Sequence, residues 1–201
     1  NQIKGRVYIK GLKSDNAGNI YITGYFASTT YFDVNNSPNT YYTLPGGTLD
    51  IFLIKYNSNG VLQWIHTFGS SVTDKGLDIV IDHNENVIIS GIFVTDIDFD
   101  PSAGQFHLTT PQGTTNGFIA KYDSDGNFIH AIKIVAQNAN HLCVDQNNNI
   151  IVNGSMDGFG NFDVAGTGNV IYAVGGPNNT DYYIAKYDSA GNFVWSVKNG
   201  G

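Results

Sequence analysis

Apolar residues in this chain fall in short runs or alternate with polar ones, and nowhere do they recur at the 3.6-residue spacing of an amphipathic helix. That pattern predicts short β-strands, and it repeats. Asn19-Ile20-Tyr21-Ile22-Thr23-Gly24, Asn86-Val87-Ile88-Ile89-Ser90-Gly91 and Asn149-Ile150-Ile151-Val152-Asn153-Gly154 align, each glycine preceded by an aspartate nine positions earlier (Asp15, Asp82, Asp145). A second landmark follows in the same order: Phe52-Leu53-Ile54-Lys55-Tyr56, Phe118-Ile119-Ala120-Lys121-Tyr122 and Tyr183-Ile184-Ala185-Lys186-Tyr187. Eight residues past each tyrosine stand Trp64, His130 and Trp195. A third landmark is Phe32-Asp33, Phe99-Asp100 and Phe162-Asp163. Three landmarks at one period of about 65 residues define three tandem units.

In the second unit the pattern predicts strand a over Leu77–Asp82, b over Val87–Val94, c over Gly117–Tyr122 and d over Phe128–Val135. Asp82-His83-Asn84-Glu85-Asn86 and Asp123-Ser124-Asp125-Gly126-Asn127 supply the turn chemistry between a and b and between c and d. A four-stranded antiparallel meander in tandem predicts an all-β fold of β-propeller blades, bounded at 1–70, 71–136 and 137–201. An elongated β-solenoid and a stack of sandwich domains are the alternatives. Propellers close with about four to eight blades, so three need completing. Further blades of a longer chain are the favoured expectation, given the absence of an initiating Met and the Gly-Gly terminus; a homodimer forming a six-bladed ring is the other.

Composition sharpens the picture. Hydrophobic residues at 41% are enough for a core, and charged residues at 13% are few. The 24 glycines and 13% aromatics suit many short strands joined by tight turns. A net charge of −7 repels phosphate backbones and anionic surfaces, which argues against nucleic acid as a partner. No apolar run reaches the length of a membrane helix, so membrane insertion is not expected. The single cysteine, Cys143, sits among Leu142 and Val144 and is expected to be a small core residue.

Candidate chemistry concentrates in the segments between strands b and c, which run about 30 residues where a hairpin needs two to five. In a propeller these segments and the d-to-a connections share one face, and loops on a rigid scaffold carry binding. Asp33, Asp100 and Asp163, with the aromatics Tyr31, Tyr41 and Phe159, are the candidate ligand contacts, and Tyr25 is a further candidate for sugar stacking. The competing reading is that Phe-Asp closes a small hairpin, the ring buried and the carboxylate bonded to backbone N–H groups; its recurrence in every unit favours that scaffold role. Asp96, Asp98 and Asp100 alternate along one strand, where hard oxygens suit calcium; a solvated edge is the plainer expectation. Asp123-Ser124-Asp125-Gly126 lacks the closing Glu of an EF-hand and reads as a turn. The five histidines show no metal-ligand spacing, and phosphate loops, nucleophile elbows and Cys-x-x-Cys are absent, so no enzyme is expected. Trp64, Trp195, Tyr56, Tyr122 and Tyr187 occupy repeated strand positions and are expected in the core.

The run from Asp181 through Trp195, with Asn149–Gly154 and Asp98-Phe99-Asp100-Pro101-Ser102-Ala103-Gly104, resembles the bacterial SBBP β-propeller repeats, the last segment being similar to versions from Bacteroidetes. The resemblance covers nearly the whole chain and departs at His130, where tryptophan is usual, and in the longer b-to-c segments. It implies a secreted or cell-surface bacterial protein, and the family brings no catalytic residues. The expected function is therefore a non-catalytic binding or structural module contacting a protein or surface. The alternative is a glycan-binding module, with calcium as a possible aid and no other cofactor.

Overall fold

The computed structural model describes residues 6–27, 30–31, 41–42, 49–164, 166, 168–174, 176 and 179–200. Each unit folds as a four-stranded antiparallel sheet in meander order. The first contains β1 (Arg6–Ser14), β2 (Ile20–Ala27), β5 (Leu49–Tyr56) and β6 (Leu62–Phe68), with β3 (Thr30–Tyr31) and β4 (Tyr41–Tyr42) paired separately. The second contains β7 (Lys75–Ile81), β8 (Val87–Val94), β11 (Thr115–Tyr122) and β12 (Phe128–Ile134), with β9 (Asp96–Asp98) and β10 (His107–Thr109) as its small hairpin. The third contains β13 (His141–Val144), β14 (Ile150–Asp157), β17 (Thr180–Tyr187) and β18 (Phe193–Asn199), and its hairpin is β15 (Phe159–Asn161) with β16 (Val170–Tyr172).

The repeated residues now have physical reasons. The aspartate opening each a-to-b turn accepts from two backbone N–H groups: Asp82 Oδ1 from Asn84 at 2.8 Å and Asn86 at 2.9 Å, with Asp15 and Asp145 doing the same. Asn57, Asp123 and Asp188 brace the c-to-d turns identically. These side-chain bonds replace ladder partners that the reversing backbone gives up. The glycine landmark is a close approach: a Cβ on Gly24, Gly91 or Gly154 would lie 2.0, 1.9 or 2.2 Å from the carbonyl oxygen of Tyr8, Lys75 or Asn138. Lys-Tyr marks a β-bulge, since the register between strands c and d slips at Lys55/Tyr56, Lys121/Tyr122 and Lys186/Tyr187.

The sheets pack face to face in chain order. β7 lies against β1, β2 and β5, and β13 lies against β7 and β8. We call the face of each sheet turned to its predecessor leading and the other trailing. At the first junction Tyr21, Ile51, Leu53 and Phe68 meet Ile89, Phe118 and Tyr122. At the second, Ile88, Ile119 and Ile134 meet Val152, Tyr183 and Tyr187. Side chains alternate across a strand, so the second sheet buries both faces. Two junctions thus hold three sheets, and ring closure is not part of what the described residues display.

Cys143 corrects one expectation, because it is exposed. Its strand partner is Ile151, and both point to the trailing face of the third sheet. The apolar neighbours Leu142 and Val144 alternate to the opposite face and enter the second core. Trp195 is likewise exposed on that trailing face, whereas Trp64 packs into the first junction.

Candidate binding face

The b-to-c hairpins and the d-to-a connections gather at one end of the sheets. After β6 the chain turns back so that Asp74 N–H donates to Leu49 O at 2.7 Å and Ser70 Oγ donates to Val94 O at 3.0 Å. After β12, Val135 and Asn161 exchange backbone bonds, and Asn140 N–H donates to Asn153 O at 2.8 Å. The a-to-b and c-to-d turns occupy the opposite end.

Within each described hairpin the Phe-Asp pair is scaffold. Phe99 and Phe162 are buried, and their carbonyls accept from the Tyr122 hydroxyl at 2.9 Å and the Tyr187 hydroxyl at 2.8 Å. The tyrosine of strand c therefore pins the hairpin beneath it. Burial pushes both phenols upward, so each remains a neutral donor. Asp100 Oδ1 accepts from Ser102 N–H at 2.9 Å, closing the turn. Asp163 occupies the matching place in the third hairpin, two residues after the Asn161 side chain that accepts from its N–H. Asp33 lies outside the described residues. Tyr31 and Tyr41 pair backbone to backbone across β3 and β4.

The positions flanking this brace differ in chemistry. In the second hairpin Asp96 reaches the exposed His107 at 2.9 Å, and Asp98 accepts from Phe106 N–H at 2.8 Å and lies 3.9 Å from His107. In the third hairpin the corresponding place holds Phe159, paired across the strands with Tyr172, both exposed, with ring centroids 6.4 Å apart. Phe106 leans on Phe128, 4.9 Å between centroids. Among the described residues no three His, Cys, Asp or Glu side chains are gathered in a metal-holding arrangement. Asp96 and Asp98 turn to His107 and Asp100 turns to its own loop. Tyr25 is a strand residue, stacked on Tyr8 at 4.8 Å with Lys75 5.4 Å from its ring, so its sugar-stacking candidacy as a loop aromatic falls away.

Two buried carboxyls at this end went unnoticed in the sequence. Asp74 accepts from Ser70 N–H, Ser70 Oγ and Val94 N–H at 2.7–2.8 Å. Asp50 Oδ1 is buried with no hydrogen-bond partner. Burial, helped by the Asp74 charge, pushes Asp50 up to about 7; burial lifts Asp74 to about 6 against the bonds that favour its ionised form. Strand register aligns Asp50 with Asn116 and Asp181 in the other sheets. Only comparison of the three units at that position would have drawn attention to it.

His130 packs against the next sheet. Its ring abuts Gly191 of the next sheet, and burial, with Lys121 nearby, holds it down to about 4 and hence neutral. No family model matches the chain. It is 26% identical over 219 aligned positions to an uncharacterized WD repeat-containing protein of Acanthamoeba polyphaga mimivirus. That alignment takes in 92% of this chain and 15% of the viral protein. The distant likeness, joined to three four-stranded antiparallel sheets, suggests a β-propeller repeat family.

Proposed function

We propose that the chain is a non-catalytic β-propeller module that binds a protein ligand through the face built by its b-to-c hairpins. One observation carries the reading: Phe99-Asp100 and Phe162-Asp163 are held in place alike, while the exposed positions beside them change from Asp96, Thr109 and His107 to Phe159, Tyr172 and Val170. A constant brace with variable neighbours suits a scaffold that presents different contacts. The WD repeat relative supports an interaction role, and the SBBP resemblance supports a secreted or cell-surface setting. To test the face, a photo-crosslinking residue is placed at Phe159 and, as control, at Asn59 in an opposite turn. A partner protein captured from position 159 and not from 59 supports the reading; equal capture from both overturns it.

The exposed Phe159–Tyr172 pair supports a glycan as the second reading, because sugar rings stack on aromatic faces. A glycan-array signal that Phe159→Ala abolishes would favour it over a protein ligand. Calcium assistance at Asp96, Asp98 and Asp100 would require His107 and the Ser102 N–H to release their carboxylates. Calorimetric titration with calcium reads that directly.

A further inference from the structure

The carbonyls pressed against Gly24, Gly91 and Gly154 belong to Tyr8, Lys75 and Asn138, which are therefore equivalent. So are the residues just before the last two, Asp74 ahead of the second sheet and Gln137 ahead of the third. Strand pairing makes Asp50 equivalent to Asn116, through Phe26 and Phe93. The connection between the first and second sheets thus gathers two carboxyls where the connection between the second and third has two amides. Gln137 Nε2 donates to Asp157 at 2.7 Å and Asn116 Nδ2 to Thr110 Oγ1 at 2.6 Å, through donors that do not ionise. In the third sheet Asp181 keeps the carboxylate, but it accepts from Val174 N–H at 2.8 Å and has Lys198 at 3.9 Å. Asp50 differs. Its Oδ1 is buried with no hydrogen-bond partner, and Thr67 stands where the third sheet has Lys198.

The carboxyls sit at a clasp. Asp74 N–H donates to Leu49 O of β5 at 2.7 Å, and its carboxylate accepts from Ser70 N–H at 2.7 Å and from Val94 N–H of β8 at 2.8 Å. Residues 69–74 thereby tie the first sheet to the second. Gly69 lies directly on Asp50: a Cβ there would stand 1.9 Å from Asp50 Oδ1, so water reaches that oxygen only if Gly69 moves. Asp74 is 0% and Asp50 4% exposed. Two buried like charges this close exclude one another, and the carboxyl with fewer donors keeps the proton.

The charge acting on Asp50 is that of Asp74. Lys10 of β1 and Lys75 of β7 lie 5.5 and 5.4 Å from the Tyr25 ring of β2, His66 of β6 bonds Gly126 O, and Arg6 is exposed. Asp96 and Asp98 of the second hairpin turn to His107, and Lys133 of β12 donates to Thr109 O. Lys4 and Asp33 lie outside the described residues, and no Lys, Arg or His occurs between Ala27 and Leu49.

We infer that residues 69–74 form a proton-operated clasp, closed while Asp50 holds a proton and released when Asp50 and Asp74 are both ionised. The proton leaves to water, which enters by lifting Gly69 and with it the Ser70 and Asp74 bonds. Val94 ends β8 two residues before Asp96, so release loosens the root of the second hairpin. The following connection, built on amides, stays shut.

Amide hydrogen exchange followed by NMR, expressed as protection so that the chemistry of exchange cancels, tests this. Ser70 and Val94 N–H report the clasp, and Val135 N–H, bonded to Asn161 O at 3.0 Å in the following connection, is the control. Protection at Ser70 and Val94 is expected to fall by up to about tenfold for each pH unit beyond the loss of the Asp50 proton, while Val135 holds. Asp50→Asn, which installs the amide of the second unit, abolishes the fall. Constant protection at Ser70 and Val94 overturns the inference, as does an equal fall at Val135 or one that persists in Asp50→Asn. If that variant does not fold, the wild-type profiles decide alone. None of these outcomes bears on the hairpin contacts, whose test reads position 159.

Discussion

The same lysine meets a covered and an uncovered surface, and the difference separates its two jobs. In the middle of the molecule Lys121 is buried between Asp82 of its own sheet, at 2.9 Å, and Ser189 O of the next. On the third sheet Lys186 keeps the intrasheet partner, Asp145 at 2.8 Å, and is partly exposed. In the first sheet Lys55 keeps the intersheet partner, Ser124 O, but lies 5.2 Å from the Tyr21 ring, whose hydroxyl bonds Asp15 in place of the lysine. The aspartate bond organises a sheet and the carbonyl bond joins two sheets. Either survives without the other.

The largest effect that would break this comparison is expected at Lys121. Lys121→Ala leaves the Asp82 carboxylate buried without its cation and removes the intersheet latch, at a cost of about 3–5 kcal/mol. Lys186→Ala should shift a urea midpoint far less, since water reaches both partners. Equal losses in the two variants would show that the latch is not what the middle position adds. Next in size is the isoleucine pair. Ile119→Ala opens a cavity in the second core and should cost about 2–5 kcal/mol. Ile184→Ala, on the uncovered face, should fall within about 0.5 kcal/mol in the monomer, and a larger loss would report a covered face.

A separate effect concerns pH. Asp50 and Asp74 have carboxyls raised to about 7 and about 6 in the fold, above their ordinary value of 3.8. Such groups hold their protons more tightly when folded. Their contribution is complete below the ordinary value and is lost as pH rises through 6 and 7. His66 and His130, held down by burial, act with the opposite sign, losing their contribution as pH falls below their ordinary value of 6.5. The difference between wild type and Asp50→Asn isolates the first effect: the variant should gain stability relative to wild type between pH 5 and 8. Asn116 already fills the equivalent position, donating to Thr110 Oγ1 at 2.6 Å. A constant difference across that range would show that Asp50 does not titrate there.

Much of the fold was legible because strand alternation and turn chemistry are local. Strand b of the second unit was placed at Val87–Val94, where it is found. Strand c begins earlier than its apolar run, at Thr115, because Thr115 and Asn116 pair with Val94 and Phe93 despite their polarity. The reading of Phe-Asp as hairpin scaffold agrees with the buried rings of Phe99 and Phe162. What alternation does not reveal is whether a face has a neighbour. Cys143 and Trp195 sit in sequence contexts indistinguishable from core, and only the position of their sheet at the edge of the described stack exposes them. The Asp50–Asp74 proximity was out of reach for another reason. Asp50 lies in β5 and Asp74 in the connection before β7, and nothing near either in sequence names the other.

The paired turn braces have an evolutionary corollary. Every unit carries its own Asp or Asn at both turns, together with both halves of the contact needed to join its neighbours. Unequal crossover between any two coding repeats would therefore yield a protein with one unit more or fewer and no unsatisfied turn. A whole unit can thus be added or removed without leaving a turn unbraced, and the exposed hairpin positions can change without disturbing the packed interior.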